Sequence, residues 1–133
     1  MFVSADARGL RSVGIFGFDV RGLAYYERAA RRSDTRPGTR VELVREPLND
    51  YQSAAIAIHP KGAGSRVGYV NKGMAPGLAK LLDAGTELSN IVLRGAAPGE
   101  NPSGVTVLVA RPETMAHLCR TPWPKSVVCR GQW

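Results

Sequence analysis

Groups that carry out covalent chemistry are scarce in this sequence. It has two histidines, His59 and His117, and two cysteines, Cys119 and Cys129. It contains no Gly-x-Ser-x-Gly nucleophile elbow, no phosphate loop of the ATPase kind and no close-set carboxylates for a metal. These gaps argue against a hydrolase, an ATPase or a metal-dependent nuclease, and they predict a chain that is not an enzyme and needs no cofactor. A zinc set of His117, Cys119 and Cys129 lacks the paired close spacing of structural zinc sites and an evident fourth ligand. Two plain, reduced thiols and no metal are expected instead. Long apolar runs are missing as well. Ile91-Val92-Leu93 and Val105–Ala110 are strand-sized, far short of the roughly 20 residues a membrane helix needs. Met1 to Gly17 shows no apolar block behind a basic one, so no secretion signal is expected. The expected compartments are the cytoplasm, in association with the nucleoid, or the nucleus.

Acidic residues are also in deficit. The 133 residues carry a formal charge of +7 and a pI near 10.0. Between Asp50 and Asp83 stand Lys61, Arg66, Lys72 and Lys80 with no acid among them. Beyond Glu113 come Arg120, Lys125 and Arg130, again without one. Mixed charges cancel at a distance, whereas such stretches leave a net positive field that favours an anionic partner, nucleic acid first. Hydrophobic residues make up 44% of the chain, enough for one domain's core without a disulfide net.

The local patterns describe short strands and turns. Asp19–Tyr26 reads as a first strand, Glu27–Arg32 as a helical turn, and Ser33–Thr39 as a loop turning at Arg36-Pro37-Gly38. Arg40–Arg45 alternates like a half-buried strand. Pro47–Gln52 is a loop, Ser53–Ile58 and Arg66–Val70 are strands, and His59–Gly64 is the hairpin connection between them. Gly73–Ala84 is the one clear helix, with Pro76 in its first turn, Leu78, Leu81 and Leu82 as the buried stripe and Gly85 as its stop. Glu87–Ala96 and Gly104–Ala110 complete the strands. The fold expected is mainly β: a small six-stranded barrel, OB-like or SH3-like, with one or two short helices. Residues 1–17 read as a tail or linker, 18–111 as the barrel domain and 112–133 as an extension carrying Pro122, Pro124, Trp123 and Trp133.

Four segments occur in a telling order: Arg21-Gly22-Leu23-Ala24-Tyr25-Tyr26, then Leu43-Val44-Arg45-Glu46-Pro47-Leu48-Asn49-Asp50-Tyr51-Gln52-Ser53-Ala54-Ala55-Ile56, then Val67-Gly68-Tyr69-Val70-Asn71-Lys72, and last Leu78-Ala79-Lys80-Leu81-Leu82. Together, over residues 18–95, they resemble the HIRAN domain, a module of some DNA-repair ATPases such as the helicase-like transcription factor. The resemblance implies a six-stranded barrel with one or two helices. In the helicase-like transcription factor it also implies a pocket for the 3′ end of single-stranded DNA.

A single-strand binder needs aromatic faces for bases and cations or amides for phosphates. All four tyrosines, Tyr25, Tyr26, Tyr51 and Tyr69, fall inside the matched segments. Neighbours on a strand point to opposite faces, so Tyr25 and Tyr26 share a pocket only if the strand bulges or ends there. The resemblance places both at the DNA-binding edge. Asn49 suits a phosphate or sugar contact, or equally a cap on its own loop. Lys72 is a phosphate contact by resemblance and otherwise a solvated lysine. Arg45 is expected to brace the loop against a nearby carboxylate. Arg21, Arg28, Arg31 and Arg32 either extend a backbone track or form a solvated face. Against the family's pattern, Gln52 stands where an aspartate is usual after the motif tyrosine, Ala24 where a basic residue often precedes the tyrosine pair, and Ala54 where an amide is common. An uncharged Gln52 accepts a terminal hydroxyl's hydrogen bond about half as strongly as a carboxylate, which puts 3′-end specificity in doubt more than DNA binding; Asp50, where the family commonly has proline, is a candidate to substitute for that carboxylate in space. The expected site is therefore Tyr25, Tyr26, Asn49, Tyr51, Gln52, Tyr69 and Lys72, and the expected partner is DNA, single-stranded or at a 3′ end, serving repair or fork processing. A larger ATPase or nuclease in the same chain or complex would use it. The alternative from another class is a protein-interaction module that binds an acidic partner.

Overall fold

Alternating apolar residues build the first strand of the described chain, with Phe16 and Phe18 both buried against the main core. The computed structural model describes residues 14–120. Its strands are β1 (Phe16–Asp19), β2 (Val41–Arg45), β3 (Ile56–Pro60), β4 (Gly68–Tyr69), β5 (Ser89–Arg94) and β6 (Thr106–Ala110). Its helices are α1 (Glu27–Arg32), α2 (Ala75–Asp83) and α3 (Pro112–Arg120), with a 3-10 turn at Leu23–Tyr26. The six strands expected are present, while the helices exceed the one or two expected. Pro112 at the head of α3 explains the last of these, since proline opens a helix as readily as it interrupts one.

The strands form two three-stranded antiparallel sheets, ordered β1-β6-β5 and β2-β3-β4, rather than one continuous ladder. Backbone pairs tie the sheets at two corners. At one, Arg21 and Tyr69 exchange both hydrogen bonds at 2.8 Å. At the other, the Gly38 N–H reaches the Val92 carbonyl and the Val92 N–H reaches the Thr39 carbonyl, each at 2.8 Å. The Asn90 amide strengthens this second corner, accepting from the Val41 N–H and donating to the Val41 carbonyl at 2.8 Å.

β6 is apolar throughout because both its faces are covered. Val107 and Val109 join the main cluster between the sheets, whereas Leu108 and Ala110 join a second cluster with Ile15, Ile91 and Met115 of α3. α2 buries Ala75, Leu78 and Ala79 on the main cluster. Gly85 then takes φ +77° and closes the helix with two reverse hydrogen bonds, from its own N–H to Leu82 and from the Thr86 N–H to Leu81.

One correction concerns the N-terminal strand. The alternation placed it at Asp19–Tyr26, but it ends at Asp19. Gly22 follows at φ +93°, a left-handed conformation that diverts the chain into the 3-10 turn bearing Tyr25 and Tyr26.

Candidate functional site

The connection from β2 to β3 is a loop held from within. The Glu46 N–H donates to the Ala55 carbonyl at 2.9 Å and closes its base. Asn49 organises the tip: its Oδ1 accepts from the N–H groups of Tyr51 (2.9 Å) and Gln52 (3.2 Å), and its Nδ2 donates to Glu46 Oε1 (3.2 Å). Of the two roles the sequence left open for Asn49, the loop cap is the one its amide performs here. Arg45 braces the loop as expected. Its Nε and Nη2 meet the two carboxylate oxygens of Asp83 at 2.9 and 3.2 Å, and its Nη1 donates to the Ala55 carbonyl at 2.8 Å. These bonds leave Tyr51 94% exposed and Leu48 93% exposed on a loop held by its own hydrogen bonds.

Beside this loop runs the chain leaving β4. Between the two lies a cleft of about 580 Å³, lined among others by Arg21, Asn49, Tyr51, Gln52, Tyr69 and Lys72. Five of the seven expected site residues are thus brought together by elements separated in sequence. Among the described residues no carboxylate lines the cleft. Among the described residues the side chains of Arg21, Lys72 and Gln52 have no hydrogen-bond or ion-pair partner.

Behind the cleft wall lies a buttress that sequence reasoning missed. The Tyr69 hydroxyl donates to Glu46 Oε1 at 2.9 Å, and Arg66 Nη1 donates to Glu46 Oε2 and to the Tyr69 hydroxyl, each at 2.8 Å. The Arg66 guanidinium also sits 5.9 Å from the ring centres of both Tyr69 and Tyr26. Burial pushes the Glu46 carboxyl up, but hydrogen bonds from Tyr69 and Asn49 and the charge of Arg66 outweigh it and hold the carboxyl below its usual range. For Tyr69 burial and the bond to Glu46 act in the same direction, and its phenol is pushed up to about 12. Glu46 and Tyr69 are 23 positions apart. Only their common membership of the matched segments hinted at the pairing.

Tyr25 and Tyr26 lie outside this cleft. They line an adjoining groove of about 330 Å³ with Arg28, Arg32 and Ser65. Tyr26 packs half-buried against the core, with its ring 6.4 Å from that of Tyr69, while Tyr25 is 90% exposed. The 3-10 turn lets both reach one groove, which an extended strand would forbid. A third groove, of about 440 Å³, contains His59, Lys61 and Glu42. Among the described residues no group of three or more His, Cys, Asp or Glu is placed to hold a metal. Of the zinc set considered above, Cys129 and the side chain of Cys119 lie outside the described residues, as do Trp123, Trp133, Lys125 and Arg130. No described helix is long and apolar enough to cross a membrane.

Two corner-tied sheets with a cationic, tyrosine-lined cleft define a small β-rich domain. The chain belongs to the HIRAN domain family, whose profile matches residues 13–110. The crystal structure of the HIRAN domain of human HLTF is similar at TM-score 0.53 and 22% identity, covering 80% of this chain and 84% of that one. A crystal structure of a protein from Lactobacillus plantarum is similar at TM-score 0.54 and 22% identity, covering 71% and 92%. The NMR structure of the HLTF HIRAN domain in its DNA-bound conformation is more distant, at TM-score 0.46 and 20% identity over 79% and 82%. No curated protein matches the sequence.

Proposed function

We propose that this chain is a DNA-binding module without catalytic activity, and that its cleft takes single-stranded DNA or the 3′ end of a strand. The observation that carries this reading is the cleft's composition. It combines an almost fully exposed tyrosine, Tyr51, with two cations, Arg21 and Lys72, and among the described residues these cations are free of ion pairs and no carboxylate lines the cleft. An aromatic face stacks on any base, and free cations meet the phosphates that flank it. A protein partner would need no such pairing of stacking face and bare cation. The two sheets, tied at both corners, act as one barrel whose rim carries the cleft, and the tyrosines of the adjoining groove extend the track. In the cell such a module would direct a larger ATPase or nuclease to DNA during repair or fork processing.

Fluorescence anisotropy with a labelled oligothymidylate tests the reading. Tyr51→Ala is expected to weaken binding by about 1–3 kcal/mol, the worth of one stacked base. Tight binding that Tyr51→Ala leaves unchanged would show that the strand lies elsewhere on the surface. Capture of an acidic protein with no oligonucleotide binding at all would favour the protein-interaction alternative.

A further inference from the structure

We infer that the group the cleft is built to receive is a terminal phosphate, a phosphomonoester at a strand end, rather than a terminal hydroxyl; this rests on the DNA-binding reading above. The reason lies in which polar groups are free. A hydroxyl end is recognised best by an acceptor that takes its proton, ideally a carboxylate. Among the described residues the cleft lining offers none, and Asp50, on the same loop, is not part of it. Asn49 Oδ1 is already occupied by the N–H groups of Tyr51 and Gln52. Asn71 Oδ1 is occupied by the Met74 N–H at 2.9 Å. The Tyr69 hydroxyl spends its proton on Glu46 and accepts from Arg66. Glu46, hydrogen-bonded to the cleft residue Tyr69, takes three donors itself, from Tyr69, Asn49 and Arg66. Its charge is thereby answered within the protein.

Free donors remain. Arg21 and Lys72 have no ion-pair or hydrogen-bond partner among the described residues, and the Gln52 amide, likewise unpartnered there, can turn its N–H₂ to a phosphate oxygen or its uncharged carbonyl oxygen to a hydroxyl, the second without charge assistance. A phosphomonoester brings a charge of about −1.5 to −2 at neutral pH and three strong acceptor oxygens, whereas an internal phosphodiester brings a single charge. Two bare cations and an amide around an acid-free cleft match the first of these and are in excess for the second.

The test is a competition among oligothymidylates of one length: a 3′-phosphate, a 5′-phosphate, a form with hydroxyls at both ends, and a closed circle. One of the phosphate-ended strands is expected to bind on the order of tenfold more tightly than the hydroxyl-ended strand and the circle, as a charge-assisted contact requires. Arg21→Gln and Lys72→Gln should each shrink that preference, with thermal unfolding of each variant showing that it still folds. Gln52→Asp, which puts a carboxylate into the cleft, should abolish or invert it. If the hydroxyl-ended strand binds as well as either phosphate-ended one, the inference falls and the DNA-binding reading stands. Equal binding of the circle has the same meaning. If no strand binds, both fall.

Discussion

Tyr69 is the residue on which the site's geometry turns. Its backbone ties the two sheets through Arg21, its ring lines the cleft, and its hydroxyl joins Glu46 to Arg66. Its phenol is raised from 10.0 to about 12, first by burial and then by the bond to Glu46. The folded chain therefore holds this proton more tightly than the unfolded chain does. The resulting stability is fully present below pH 10 and is lost as the pH rises towards about 12. Tyr69→Phe should cost about 1 kcal/mol at neutral pH, since solvent can reach the partners left behind. It should also flatten the alkaline fall in urea stability and remove the late step from the phenolate absorbance titration. A titration with no step near 12 in the parent protein would contradict the geometry of this buttress. On the acid side the sign reverses. Glu46 is held below its usual value, so its contribution is present above pH 4.5 and is lost as the pH falls through the depressed value.

At the scale of elements, the corner between the end of β1 and β4 does two jobs: it joins the sheets and sets Arg21 beside the cleft. It can do both only because position 68 has no side chain. A Cβ at Gly68 would run into the Arg21 carbonyl and the Val20 side chain. A carbonyl on a paired strand has nowhere to turn, so the cost falls on the corner itself. Gly68→Ala is expected to destabilise the domain by about 3 kcal/mol, the upper end for overpacking, and to weaken oligonucleotide binding along with it. Chemical unfolding and anisotropy on the same variant check this; an unchanged unfolding midpoint would mean the sheets are not held there. The β2–β3 loop shows the same economy. Asn49 and Arg45 spend their hydrogen bonds on the loop and its base, which ties the backbone at Tyr51 while its side chain stays exposed, so a base stacking there would cost less backbone ordering.

For the whole molecule, a net charge of +7 predicts affinity that falls steeply with salt, because each phosphate contacted releases condensed counterions. Lys72→Gln should reduce the slope of log affinity against log salt by about 0.7, the value of one contact on a single strand. An unaltered slope would place Lys72 off the strand's path. A molecule held together by charge alone would lose binding through any of its cations, whereas this one should respond most to the cations lining the cleft.

How much of this was legible before the structure depended on the range of the interaction. Local patterning was readable: the α2 stripe and its glycine stop, the alternation of β2, the apolar run of β6 and the cationic stretch from Lys61 to Lys80 all follow from neighbours a few positions apart. The family resemblance marked Asn49, Tyr51, Gln52, Tyr69 and Lys72, and the fold brings them to one cleft. It marked Tyr25 and Tyr26 too, but their separate groove hinges on one left-handed glycine, Gly22, whose conformation a pattern of alternating residues does not display. The Glu46–Tyr69–Arg66 buttress, the division of six strands into two sheets and the acid-free cleft lining were decided only in three dimensions. The physical reason is that periodicity records which face of an element avoids water. Which distant carboxylate a phenol or guanidinium meets is settled by packing, and packing alone determines which of this chain's cations remain free to meet a ligand.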